Sequence, residues 1–264
     1  LVYARASNFM LFKCVSMAGT FMNLIRNFLV IITFASGAFA GSDGANQQPS
    51  APAPSAASLD SVLASMDHTS QQFRTAQANF KWDQFESAVN EHDLQSGTIY
   101  FQRNGGRLQM MAHVTDPKNA EKYALYDGNT VRLFDVAPNR VTEYGTGNNK
   151  ETFETFLVLG FGGSGQDLKR SFTVTMVGME TVDNVNAARL LLVPKSDKAR
   201  NVFDRIYMWI NPATGIAVRE KFVEPQTGNY RDSFYTGIQI NKSLPRDAFK
   251  LPTNNKTQTV RPQG

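Results

Sequence analysis

Few side chains in this 264-residue sequence are spaced for catalysis or metal binding. His68, His92 and His113 fall on a helical stretch, a loop and a strand, with no partner at ligand spacing, so solvated or structural roles fit them better than zinc. Gly160-Phe161-Gly162-Gly163-Ser164-Gly165 matches G-x-G-x-x-G, and Glu180 lies twenty positions after Gly160, as a dinucleotide-dependent oxidoreductase would require. The surroundings argue against that chemistry. Gln166 to Arg170 allow hardly one helical turn before Phe172-Thr173-Val174 resumes strand alternation, and no helix-strand repeats follow. The same glycines read more simply as a flexible hinge. A G-x-S-x-G nucleophile motif is missed, because Gln166 stands where its last glycine belongs. No catalytic residue, metal ligand or cofactor is expected, and the chain reads as a binding protein, not an enzyme.

What remains is apolar. Phe80, Trp82, Leu108, Met110, Leu125, Leu133 and Val174 on strand-like stretches, with Phe153, Phe156 and Leu157 on a helical one, offer aromatic and flexible lining for a long hydrocarbon. Burying a chain of about 15 methylenes at ~0.8 kcal/mol each would contribute up to ~12 kcal/mol, before the costs of opening and ordering the site. Cargo held that firmly would leave too slowly, so a carrier of this kind needs an imperfect closed state.

The first forty residues set the compartment. They hold Arg5, Lys13 and Arg26 and no acidic residue, the apolar run Phe28-Leu29-Val30-Ile31-Ile32, and the small-x-small triplet Ala38-Phe39-Ala40. That is the pattern of a cleaved secretory leader over 1–40, and its apolar run falls short of the ~20 residues a spanning helix needs. Without those three cations, 24 basic residues face 23 acidic ones, and no basic stripe remains to suggest nucleic acid. The single cysteine, Cys14, goes with the leader, so the remainder has no thiol for a disulfide or metal. Ala40-Gly41-Ser42 offers no lipidation site, which predicts a non-lipidated periplasmic protein.

The elements that must hold the apolar lining can be read in order. Residues 41–57 form a flexible Ala/Pro/Ser tether. Leu59, Val62, Leu63, Met66, Phe73 and Ala76 lie at helical spacing behind the capping Ser58. About eleven strands follow, among them a three-strand meander from Glu121 to Tyr144 turned by Asp127-Gly128 and Ala137-Pro138-Asn139. One segment breaks the rhythm: Phe153, Phe156, Leu157 and Gly160 share a face, which predicts an amphipathic helix over Lys150 to Leu159. So large an antiparallel sheet should curl toward a barrel, with the mid-chain helix placed to cap it. The fold class expected is α+β, one domain over 58–253, with a disordered tail over 254–264.

Three places resemble the periplasmic outer-membrane lipoprotein carrier (LolA-like) family. Gly97-Thr98-Ile99-Tyr100-Phe101-Gln102-Arg103 is similar to a family strand that ends in arginine. Tyr126-Asp127-Gly128-Asn129-Thr130-Val131 with Phe134-Asp135 resembles its Asp-Gly hairpin, and Gly228-Asn229, Asn241, Leu244-Pro245, Phe249 and Pro252 follow its closing pattern. The resemblance implies an unclosed half-barrel with a helical lid over its concave face, which shelters the acyl chains of lipoproteins between an inner-membrane release transporter and an outer-membrane acceptor. It also implies a monomer, and a latch in which Arg103 bonds to the lid. The family usually has Arg-Pro where this chain has Arg103-Asn104-Gly105-Gly106. Two other readings remain: a related barrel that binds another lipid or regulates a membrane-anchored partner, and the oxidoreductase.

Overall fold

A computed structural model describes residues 57–262. The expected leader, and the tether but for its last residue, lie outside the described residues. The first element is helix α1, Leu59–Gln72, where the Ser58 hydroxyl accepts from the Ser61 amide at 3.2 Å and Val62, Leu63 and Met66 form the buried stripe. The helical spacing read through Phe73 and Ala76 stops earlier, because Asn241 clamps the chain as it turns. Its side-chain oxygen accepts from the Arg74 amide at 2.8 Å while its nitrogen donates to the Gln72 carbonyl at 2.9 Å. Ala76 therefore already belongs to β1.

Twelve strands form one sheet. The first half is a meander of β1 (Thr75–Glu86), β2 (Glu91–Asn104), β3 (Arg107–Asp116), β4 (Lys122–Tyr126), β5 (Thr130–Asp135) and β6 (Arg140–Gly145). At the β4–β5 turn the Asp127 carboxylate accepts from the amides of Asn129 and Thr130, at 3.2 and 3.0 Å, which explains why this hairpin is legible in the sequence. Helices α2 (Lys150–Leu157) and α3 (Gly165–Ser171) then intervene. A second meander comprises β7 (Phe172–Val182), β8 (Val185–Pro194), a short helix α4 (Asp197–Arg200), β9 (Arg205–Asn211), β10 (Ile216–Val223) and β11 (Tyr230–Ile240). Strand β11 returns to pair with β1, so the order runs β6-β5-β4-β3-β2-β1-β11-β10-β9-β8-β7, all antiparallel. The sheet never closes. The chain joins its two ends, β6 and β7, through α2 and α3, which is why a cap encoded in mid-sequence reaches across the mouth.

The tail departs from expectation. Gln258–Val260 form β12, parallel to Arg140–Thr142 at the β6 edge, and Arg261 pairs with Glu143 at 3.1 Å. Residues 254–262 are thus ordered against the sheet: their backbone continues the ladder that β6 leaves unpaired.

The interior divides in two. Phe73, Phe80, Trp82, Phe101, Met110 and Tyr126 belong to a cluster on the β1–β5 side, while α1 packs Val62, Leu63 and Met66 against Leu190, Met208 and Ile210 of β8 and β9. Met66→Ala should remove a fully buried side chain from the second cluster and cost about 2–4 kcal/mol, read as a lower urea midpoint at unchanged slope.

Candidate functional site

Alternation along the strands decides which side chains face the hollow. Register pairs Phe101 with Met110, Met110 with Tyr126 and Phe80 with Tyr235, and paired residues share a face. Beneath α2 these chains enclose a cavity of about 80 Å³, lined by Trp82, Ile99, Phe101, Met110, Phe153, Phe156, Leu157, Leu159, Phe161, Phe203, Glu220, Phe222, Arg231 and Tyr235. A wider chamber of about 390 Å³ shares Trp82 as a wall and runs along β3–β6 past Ala112, Val114, Ala124 and Leu133 to a charged rim that includes Lys122, Asp135 and Arg140. Ligand pockets usually measure about 300–1,000 Å³. The space under the lid is far smaller.

The ten residues expected to line the site fare differently. Trp82, Met110, Phe153, Phe156 and Leu157 surround the smaller cavity and Leu133 the larger. Phe80 and Leu108 lie in the same core cluster without reaching either space, Phe80 being stacked on Trp82 at 3.9 Å. Val174 packs in the other cluster, with the side chains of α1. Leu125 is placed wrongly by the sequence reading. It pairs with Met111 and Arg132 on the outer face, while Ala124 and Tyr126 take the inner one. An apolar run, Ala124-Leu125-Tyr126, buried on both faces hides the two-residue period that would tell them apart. Phe161, Phe203, Phe222 and Tyr235 also line the smaller cavity and are not among the ten, although alternation in β10 and β11 marks two of them.

The glycine segment is an anchor more than a hinge. Phe161 is buried between Phe101, stacked at 5.1 Å, and Tyr235, edge-on at 4.7 Å. The Gly160 carbonyl accepts from the Ala217 amide at 3.0 Å. Arg103 donates to the Gly162 carbonyl at 3.2 Å and to the Ser70 carbonyl of α1 at 3.5 Å, with its guanidinium 5.3 Å from the Phe73 ring. Burial first, then neighbouring Arg74, lowers the pKa of Arg103, and Glu154 opposes the shift. Only glycine fits at 160 and 162, where φ is +78° and +91° and a Cβ would approach Ala217 Cβ to 2.5 Å and the Phe73 ring to 2.6 Å. The amides a pyrophosphate would need are taken too, those of Phe161 and Gly163 by the Val158 carbonyl, that of Gln166 by Asp67 and that of Asp167 by Ser164, and α3 is only seven residues long.

Helix α2 is held more lightly. It ends at Leu157, two residues before the expected limit. Tyr126 donates to Glu154 at 2.6 Å and meets the Phe153 ring edge-on at 5.0 Å, Phe156 lies 5.2 Å from Phe203, and Lys150 reaches Asn129 at 3.1 Å. Burial and the Glu154 contact push the Tyr126 hydroxyl well above its usual range. The histidines have ordinary partners: His92 pairs with Asp83 at 2.7 Å, and His113 with Glu121 at 2.8 Å.

One group in the cavity is unlike its surroundings. Glu220 is 4% exposed, and its Oε2 accepts from the Tyr235 hydroxyl at 3.0 Å. Burial raises its pKa from 4.5 to about 8, against the opposing pull of Tyr235 and Arg231.

In architecture this is an unclosed barrel with an inserted lid and an apolar hollow. No family model matches the sequence, and no curated protein is similar to it. Among solved structures, an uncharacterized conserved protein from Thermus thermophilus is 11% identical, covering 77% of this chain and 98% of its own, with a TM-score of 0.50. That likeness shows the fold. MucB is 13% identical over 76% of this chain and 65% of its own length, with a TM-score of 0.49. A putative outer membrane lipoprotein-sorting protein domain from Vibrio parahaemolyticus is 10% identical over 73% of this chain and 97% of its own, at 0.41. No described helix is long and apolar enough to cross a membrane.

The raised pKa of Glu220 has a defined sign. The folded chain keeps a proton that the unfolded chain gives up above pH 4.5, so stability is full below that value and falls until about pH 8. The loss should be roughly 1 kcal/mol per pH unit. Glu220→Gln should abolish this slope and be more stable than the parent at pH 8, as read by denaturant titrations from pH 4 to 9.

Proposed function

We propose that the protein is a non-enzymatic periplasmic carrier that shelters the acyl chains of lipoproteins in the hollow beneath α2, taking them from an inner-membrane release transporter and passing them to an outer-membrane acceptor. The observation that carries this reading is the lid itself. The apolar residues of α2 are cavity wall. A lid packed on an apolar site competes with cargo: its own Phe153, Phe156 and Leu157 occupy space an acyl chain would take. Binding energy of ~0.8 kcal/mol per buried methylene is then offset by the cost of lifting the helix, which keeps cargo releasable. On this account the Gly160–Gly163 segment stays seated while α2 swings out, and Arg103 favours the closed form through its attraction for Glu154 of α2.

Arg103→Leu should therefore bind acyl ligands more tightly while lowering the melting temperature. Losing the attraction for Glu154 costs the closed state up to about 1 kcal/mol, which corresponds to as much as several-fold in affinity, while losing the Gly162 contact lowers stability in both states. A synthetic triacylated lipopeptide titrated into both proteins measures this, and transfer to purified acceptor should slow in step. Native mass spectrometry of the protein taken from its own periplasm supplies the direct test. Copurifying triacylated protein supports the carrier role, free lipid points to a different cargo, and failure to bind any acylated ligand removes the reading.

A further inference from the structure

The cavity holds two polar groups that a pure hydrocarbon site would not contain. Glu220 and Arg231 both line it. The β10–β11 register sets Glu220 opposite Ser233 and Phe222 opposite Arg231, which brings the carboxyl and the guanidinium onto the inner face of adjacent strands. Glu220 Oε1 and Arg231 Nε are buried and find no hydrogen-bond partner. Nor do the carboxyl and the guanidinium bond each other: Tyr235 takes Glu220 Oε2, and burial favours the neutral carboxyl over an ion pair. The guanidinium instead lies 4.9 Å from the Phe222 ring and 5.7 Å from the Trp82 ring. Gly160 packs beside Glu220, where a Cβ would come within 2.5 Å of Oε1, so the lack of a side chain at 160 is what leaves room for this oxygen. Each buried polar atom left unpaired destabilises the empty site, a penalty that a ligand oxygen between them would relieve.

We propose that this wall is a head-group site, in which the oxygens of an acyl group, as a free carboxylate or an ester carbonyl, are received between Glu220 and Arg231 while the hydrocarbon lies against the aromatic lining. The inference rests on the carrier reading and narrows it: cargo is recognised by the polar end of an acyl chain as well as by its length. With its pKa raised to about 8, Glu220 holds a proton at neutral pH and donates to that oxygen, leaving Arg231 to supply the positive charge.

The test uses three ligands of equal chain length that differ only in the head, namely palmitate, methyl palmitate and hexadecylamine, titrated calorimetrically into the purified protein at pH 7. A triacylated lipopeptide serves as the fourth ligand. At least one carbonyl ligand should bind about ten-fold or more tightly than the amine. Which of the two binds better tells a free carboxylate from an ester as the natural head. Glu220→Met and Arg231→Met should each shrink the preference for palmitate over hexadecylamine toward unity. Because the parent series alone reads the preference, the proposal stays testable even if a variant fails to fold. Equal or tighter binding of the amine, or a preference unchanged in both variants, overturns the head-group site. If the lipopeptide still binds in that case, the carrier function stands without it; if no ligand binds, both fall.

Discussion

The constraint on which the structure depends is that a sheet left open must have its hollow covered by the chain's own side chains. Phe161 does most of this. It enters between Phe101 and Tyr235 from a loop whose carbonyls at Gly160 and Gly162 are taken by Ala217 and Arg103. From that fixed point α2 extends on one side and α3 on the other. Leu159, just before Phe161, belongs to the α1-side cluster and Phe161 to the other, so this loop packs into both.

The same geometry sets a tension between closing and holding. Aromatic chains from the sheet and the lid fill most of the room beneath α2, so the empty protein is satisfied by itself. Yet it keeps a carboxyl and a guanidinium in that greasy space without joining them. Filling favours the closed form; the unpaired polar atoms penalise it. A molecule that must both accept and surrender a hydrophobic guest benefits from having neither state too deep.

How far the sequence can be read depends on how local each signal is. The Asp127-Gly128 turn follows from neighbouring residues, and the structure has it where expected. Ser58 and the amphipathic face of α2 are local in the same sense. Spacing draws Ala76 into a helix because the residue that stops α1, Asn241, arrives from the far end of the chain. Leu125 reads as inward because an apolar run carries no phase. The tail over 254–262 reads as polar and featureless, and its strand exists only because β6 supplies a ladder. Glu220 and Arg231 give no signal at all: ordinary charges in alternating strands become unusual only when a lid shuts over them.

Strand β12 has a consequence for self-association. Joining copies edge to edge into an open-ended stack requires two free borders on every molecule. Among the described residues one border carries a three-residue parallel strand, too short to template a neighbour, and β7 at the other end of the sheet is the long border. Pairing there joins two copies, and β12 disfavours the addition of a third.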